Sequence, residues 1–264
     1  LKDFSLSQNE LSLIRETEQR VAITSGNEQY KLEQSEESKN IAQVSLSDNK
    51  KEIVIKALTE GKITIKAIDI PTKKEILLNI FVSSKVTPED YELSQDKKTL
   101  VKWKGANTKS LDMDIIEAFK EVTKIGEEAF SGNKNIEYII LPKGITTMED
   151  QVFMDCTNLK TVSIPKTVTS IGRGAFSDCT NLQELELPKG LTELPDTFFY
   201  GCKALSKITL YEGIQTIGYN AFSQNAIKEI IFPASLKKLD TDVVEWCSNL
   251  EKIVFKGATP PSIE

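Results

Sequence analysis

The chain has 264 residues, a formal net charge of −6 and no histidine. This length allows one or two domains, and the acidic balance argues against a nucleic-acid partner. The lack of histidine removes the usual general base and most catalytic zinc sites. No apolar run approaches the roughly 20 residues that a transmembrane helix needs. The chain opens at Leu1 without a signal peptide, so we expect a trimmed fragment whose export signal or lipid anchor would lie upstream.

The first 84 residues alternate short apolar-polar segments with turn-forming residues. Strands are predicted at 10–14, 20–23, 30–33, 41–46, 51–57, 62–69 and 75–82. Several short strands at spacings near ten residues are typical of a β-sandwich. This region contains no cysteine, so a disulfide cannot link the two sheets.

The second half of this region carries a family resemblance. The stretch IAQVSLSDNKKEIVIKALTEGKITIKAIDI, with its corner Ala57-Leu-Thr-Glu-Gly61, resembles the bacterial Ig-like group 2 domain. The resemblance implies an Ig-like β-sandwich over residues 1–84 that acts as a spacer on a bacterial surface.

Residues 85–121 lie between this region and a repetitive C-terminal region. The pattern predicts strands at 99–103 and 110–113 and a short helix at 115–121. We interpret the segment as a junction and N-terminal cap, because the first coil of a solenoid must be covered. Trp103 is expected to pack on that coil; a ligand-stacking role is the alternative.

Residues 122–264 are dominated by an internal repeat. The clearest copy, VTSIGRGAFSDCTNLQELELP, spans 168–188, and the starts of the copies are 23, 23, 23, 23 and 22 residues apart. The six copies begin at Val122, Ile145, Val168, Leu191, Ile214 and Leu236. A fixed period in this range predicts a solenoid, here of six coils.

Each copy has a strand half and a turn half. In the strand half Val162 and Ile164 alternate with polar residues, and Pro165 ends the ladder because it has no N–H. In the turn half, the spacing of three between Phe176 and Cys179 predicts one helical or 3₁₀ turn with both side chains inward. The fold class is therefore mostly β, with short helical turns.

Stacked coils would align the equivalent side chains in interior columns. The aromatic column is predicted to contain Phe130, Phe153, Phe176, Phe199 and Phe222, with Val244 in the last copy. The cysteine column contains Cys156, Cys179, Cys202 and Cys247. Equivalent side chains are parallel and point at the core, so we expect free, buried thiols acting as small hydrophobes rather than disulfides.

The repeat resembles the leucine-rich repeats of the Bacteroides surface-protein (BspA-like) type. The resemblance implies a secreted or surface-anchored bacterial protein that is often adhesive, and it implies no enzyme. The sequence offers no catalytic residue, metal ligand set or cofactor motif: Gly172-Arg-Gly174 is a repeat turn, and no calcium loop is present.

The outward-facing row of the solenoid strands is the first candidate partner surface. Its candidate residues are Tyr138, Ile140, Glu184, Glu186, Lys207 and Ile231. The apolar members Tyr138, Ile140, Ile231 and Val254 are expected to be exposed. The alternative is that charged members such as Glu229 merely neutralise their neighbours across the sheet.

The fourth copy is unusually aromatic and gives a second candidate surface. It carries Tyr200, Tyr211 and Phe198, and Tyr219 follows in the next copy. Aromatic side chains are frequent at binding hot spots, although local repacking would explain them equally well.

These features lead to one favoured function and two alternatives. The favoured hypothesis is a monomeric, non-catalytic adhesion module on the bacterial cell surface, outer-membrane anchored or secreted, that binds a host or matrix protein. The alternatives are a glycan-binding protein of a carbohydrate-uptake system, suggested by the tyrosines, and a scaffold within a surface assembly.

Overall fold

The computed structural model describes residues 1–183 and 185–263. The chain forms two compact units. The N-terminal unit comprises Leu1–Lys85 and Lys109–Asp112, and the repeat unit comprises Val86–Thr108 and Met113–Glu264.

The N-terminal unit consists of two four-stranded sheets around one hydrophobic cluster. Its elements in chain order are β1 (Ser5–Leu6), β2 (Glu10–Ile14), β3 (Glu18–Ser25), β4 (Tyr30–Glu33), α1 (Glu36–Lys39), β5 (Ala42–Leu46), β6 (Glu52–Ala57), β7 (Gly61–Asp69) and β8 (Lys74–Ser83). The strand orders are β1-β3-β6-β5 and β2-β8-β7-β4. The β2–β8 pair is parallel, and the other described pairs of these two sheets are antiparallel.

Strict alternation in the strands builds this core. In β6, Ile53, Ile55 and Ala57 are buried while the residues between them are more accessible. In β7 the same period of two buries Ile63 and Ile65. Side chains from both sheets therefore form one apolar cluster. The Ig-like character of this unit stays a prediction.

The second part of the chain contains mostly very short strands. In chain order the elements are the 3₁₀ turn Pro88–Asp90, β9 (Tyr91–Leu93), β10 (Thr99–Trp103), β11 (Ser110–Asp112, in the N-terminal unit), the 3₁₀ turn Glu117–Phe119, β12 (Lys124–Ile125), β13 (Tyr138–Ile140), β14 (Thr147–Met148), β15 (Thr161–Ser163), β16 (Ser170–Ile171), β17 (Glu193–Leu194), β18 (Thr216–Ile217), β19 (Glu229–Phe232), β20 (Lys238–Leu239), β21 (Lys252–Phe255) and β22 (Ser262–Ile263).

Parallel pairing between equivalent segments makes the repeat unit a β-solenoid. β10, β12, β14 and β16 follow one another in a single sheet, and β17, β18, β20 and β22 do so in another. The outward-row strands pair in the same way, β13 with β15 and β19 with β21. Residues one period apart therefore occupy the same place on successive coils.

The solenoid extends beyond the six repeat copies that the sequence predicts. It has about seven turns. Additional rungs lie on both sides of the copies: β10 pairs in parallel with β12, and β22 pairs in parallel with β20. Residues 99–103 thus add a rung that the 23-residue period does not reveal, because this segment lacks the repeated Phe and Cys.

Candidate binding surface

The interior of the repeat unit contains a file of stacked phenylalanine rings. Adjacent ring centroids from Phe130 to Phe222 lie 5.0, 5.5, 5.6 and 5.7 Å apart, with interplanar angles of 13–29°. Trp103 stacks on Phe130 at 5.9 Å and is 5% exposed. All five phenylalanines are buried, so the file gives the outer surfaces a stiff support.

The turn half of each coil is not a helix, which corrects the predicted helical or 3₁₀ turns. The Cys179 N–H donates to the Phe176 carbonyl, which closes a four-residue β-turn. Gly174 and Asp178 have positive φ angles of 58° and 56°, which interrupts any helix. The N–H groups of Gly174, Phe176 and Asp178 instead donate to the next coil.

The cysteine column lies beside the phenylalanine file. All four cysteines are free, and the Sγ–H of Cys156, Cys179, Cys202 and Cys247 donates to the Phe carbonyl one coil earlier at 3.0–3.1 Å. Their role thus includes hydrogen bonding to a buried carbonyl, which the small-hydrophobe interpretation omits. Burial raises the pKa of the Cys156 thiol to about 12 and raises the pKa of the Cys179 and Cys202 thiols as well.

Cys247 and its coil are more open than the coils before them. Cys247 and Val244 are half-buried, whereas Cys179 and Phe176 are fully buried. The prediction that all four thiols would be buried is therefore wrong for Cys247. Burial still raises the pKa of this thiol.

The outward row of the strands is less apolar at its surface than the sequence predicts. Tyr138, Ile140 and Val254 are half-buried rather than exposed, and Ile231 is 39% exposed. The ammonium of Lys160 lies 5.5 Å above the Tyr138 ring, which covers part of it.

The charged members of this row are in part paired. Lys252 Nζ lies 2.6 Å from Glu229 Oε1 on the neighbouring strand. Glu186 and Lys207 are exposed, while Glu184 lies outside the described residues.

The tyrosines of the aromatic candidate surface contact different neighbours. Gln224 donates from Nε2 to the Tyr200 hydroxyl at 2.5 Å. The Tyr211 ring lies 5.2 Å from Lys189 Nζ, and burial together with Glu186 raises the pKa of its hydroxyl.

Tyr219 is 42% exposed, and its backbone N–H donates to Asp196. No aromatic contact joins the three tyrosines within the described residues. Phe198 is fully buried, with its ring edge-on to Phe176 and Phe199, so this side chain repacks the interior.

Trp246 is a surface residue that sequence reasoning missed. Its side chain is 75% exposed, and it lines a cleft between coils. Two signals were available: Trp246 stands two residues after the Phe-equivalent Val244, where other copies have Gly, Asp or Gln, and the fifth copy is one residue short.

Neither a metal site nor a membrane-spanning helix is found in the part of the chain that the structure describes. Residues 1–183 and 185–263 contain no group of three Cys, Asp or Glu side chains that could hold a metal ion. Over the same residues, every helix is too short or too polar to cross a bilayer.

Comparisons with known proteins agree with this geometry. Residues 123–251, just under half of the chain, match a family described as "BspA type Leucine rich repeat region" in six copies. No curated protein matches the chain significantly.

Two solved structures show the same fold at low identity. A T. pallidum leucine-rich repeat protein has 23% identity and a TM-score of 0.59, over 68% of this chain and 86% of that protein. A leucine-rich cell surface protein from Faecalibacterium prausnitzii A2-165 has 23% identity and a TM-score of 0.53, over 68% of this chain and 56% of that one.

Leucine-rich repeat proteins in general bind other proteins and are usually not enzymes. Residues 123–251 of this chain are similar to such a repeat region, of the BspA type.

Proposed function

We propose that the chain is a non-catalytic adhesion module of the bacterial cell surface, in which the outward row of the solenoid strands binds a host or matrix protein. The N-terminal unit would act as an Ig-like spacer. The similarity to a protein described as a leucine-rich cell surface protein supports this location.

One observation carries the proposal: the outward row has an accessible apolar position where β19 and β21 pair. Ile231 and Val254 are register partners on β19 and β21, and Ile231 remains 39% exposed. Lys252 and Glu229 flank them as an exposed ion pair. An apolar centre with a charged rim is the usual composition of a protein-binding patch.

The rigid interior favours such a role. The Phe file fixes the spacing of the coils, so the row is organised before a partner arrives. Pre-organisation lowers the entropy cost of association. We expect the protein-binding patch to cover several coils, because specific interfaces bury about 800 Å² on each partner.

The test is binding of the full chain to immobilised laminin, collagen and serum glycoproteins, measured by surface plasmon resonance. We expect at least one of these proteins to bind, and Ile231→Lys to weaken that binding at least tenfold. Glu193→Lys is the matched control, because Glu193 is an exposed residue of β17, outside the row. Absence of binding to the whole panel, or equal loss in both variants, would contradict the proposal.

A further inference from the structure

The fifth coil has a shorter corner than the other coils. In the fourth coil Lys203 and Ala204 separate Cys202 from Leu205, whereas in the fifth only Ala226 separates the corresponding Asn225 from Ile227. In the fourth coil the Leu205 N–H donates a hydrogen bond to the Cys202 carbonyl. In the fifth coil the Ala226 N–H donates instead to the Leu205 carbonyl of the fourth coil. The corner of the fifth coil is therefore drawn in.

The missing residue coincides with a cleft of about 440 Å³. Its walls come from the fourth and sixth coils and its floor from the fifth. The lining residues are Lys203, Gln224, Asn225, Ala226, Trp246, Ser248 and Asn249. Lys203, Ala226 and Ser248 are equivalent positions of three successive copies, so the small Ala226 lies between two longer side chains.

Trp246 stands out on one wall of this cleft. It is 75% exposed, while the other tryptophan, Trp103, is 5% exposed. Its φ angle is 57°, and the equivalent residues Asp155, Asp178, Gly201 and Gln224 also have positive φ angles, so the repeat turn sets this conformation. The equivalent residues Gly201 and Gln224 are smaller. A largely exposed indole gains little from burial, so packing does not explain the large side chain at this position.

The amide of Asn225, at the floor of the cleft, has a hydrogen-bond acceptor without a donor among the described residues. Asn225 is 4% exposed, and its Nδ2 donates to the carbonyls of Phe199 and Phe222. Within the described residues its Oδ1 has no hydrogen-bond partner. A buried acceptor without a donor is uncommon and destabilising, and a water molecule enclosed beneath the cleft would satisfy it.

The remaining lining groups are hydroxyl and amide side chains with a single charge. Gln224, Ser248 and Asn249 can each donate and accept hydrogen bonds, and the charge among the described lining residues is that of Lys203. No carboxylate lines the cleft in the part of the chain that the structure describes. An apolar peptide would bury these amides without partners, which is costly, whereas a polyhydroxylated ligand would pair with them.

We propose that this cleft is a carbohydrate-binding site in which the Trp246 indole packs against the apolar C–H face of a pyranose ring. A pyranose has one apolar face and a rim of hydroxyl groups, which matches one aromatic wall and an amide-bearing floor. Gln224, Ser248 and Asn249 then exchange hydrogen bonds with the rim. The Lys203 cation selects neutral or anionic sugars over cationic ones.

This inference is independent of the proposed protein-binding row. Its residues lie in the turn halves of the coils, and Ile231 and Lys252 are not among them. Loss of one activity in a variant therefore need not affect the other.

The test uses the fluorescence of the full chain titrated with maltohexaose, cellohexaose, xylohexaose, mannohexaose and chitohexaose. Trp246 is the exposed tryptophan, so a bound sugar should reduce quenching by acrylamide at least twofold. Calorimetry should show that Trp246→Ala weakens binding at least tenfold and that Trp246→Phe keeps part of it. Leu77→Ala, which removes an exposed apolar side chain of the N-terminal unit, is the control and should bind as the parent chain does.

A second variant tests the cleft rather than the indole. Insertion of one Asn after Ala226 restores the corner length of the other coils and should abolish sugar binding while the far-ultraviolet circular dichroism stays unchanged. The proposal is overturned if none of the five sugars protects Trp246 from acrylamide. It is equally overturned if a sugar binds with the same affinity to the Trp246→Ala chain or to a folded insertion variant.

Discussion

The third and sixth coils carry the same repeat but differ in burial. In the third coil Phe176 and Cys179 are fully buried, between the side chains of the second and fourth coils. In the sixth coil the equivalent Val244 and Cys247 are half-buried. The environment of an inward side chain therefore depends on what packs against its coil, and not on the repeated letter alone.

The largest expected difference between these coils is in how much the side chain at the phenylalanine position stabilises the fold. Phe176→Ala should lower the free energy of unfolding by about 3–5 kcal/mol, because it leaves a cavity between two stacked rings. Val244→Ala in the sixth coil should cost less than about 1 kcal/mol, since the side chain already meets solvent. Urea denaturation followed by circular dichroism measures both values.

Equal losses of unfolding free energy in the two variants would contradict this prediction, because the inward positions of the two coils would then contribute equally to stability. Thr209→Ala, at an exposed position of the outward row, controls for unspecific effects and should change stability by less than about 0.5 kcal/mol.

The same contrast explains how much of the solenoid was predictable. Phe130 and its equivalents recur at a fixed period, so the sequence predicts both the solenoid and the inward direction of these side chains. The openness of Cys247 was not predictable, because burial depends on the neighbouring coils. Likewise, Tyr138 and Ile140 alternate as outward residues should, yet neighbours such as Lys160 cover part of the surface.

Other features could not be predicted from the sequence, because they depend on tertiary contacts. The parallel pairing of β2 with β8 joins segments far apart in sequence, and no local pattern specifies such a partner. The cleft at Ala226 follows from a missing residue, which in the sequence only shortens the last period to 22. The sequence shows that Trp246 differs from the residues at the same position of the other copies, but its exposure depends on how the fifth and sixth coils stack.

A second prediction compares the buried Cys156 with the half-buried Cys247 by the stability of the protein at alkaline pH. The ordinary thiol pKa of 9.0 applies to the unfolded chain, and burial raises the pKa of Cys156 to about 12 in the folded chain. Between these values the unfolded chain loses a proton that the folded chain keeps. The free energy of unfolding therefore falls as pH rises through this window, by up to about 1.4 kcal/mol per pH unit for one thiol.

We expect Cys156→Ser to be less pH-sensitive than the parent chain between pH 9 and pH 11, because serine does not titrate there and can still donate to the Phe130 carbonyl. Cys247→Ser should change the slope less, since its thiol is half-buried. Urea titrations at half-unit pH intervals test this. Identical slopes for the parent chain and the Cys156 variant would contradict the burial argument.

The smallest expected effect concerns the ion pairs between adjacent coils. Lys160–Glu137 and Lys252–Glu229 both have N–O distances of 2.6 Å, but the side chains of the first pair are 41% and 27% exposed and those of the second 63% and 43%. Water screens the more exposed pair more strongly, and surface pairs contribute about 0–1 kcal/mol. The hydrogen bond to Glu137 also raises the pKa of the Lys160 ammonium.

Double-mutant cycles with Lys→Met and Glu→Gln should therefore give a coupling energy for Lys160–Glu137 of roughly 0.5–1 kcal/mol and one near zero for Lys252–Glu229. Both should shrink in 1 M salt, where the Debye length is about 3 Å. A larger coupling in the sixth coil than in the second would mean that exposure does not rank these pairs. The Lys252–Glu229 pair, which forms the charged rim of the proposed protein-binding patch, would then be a rigid feature of that patch.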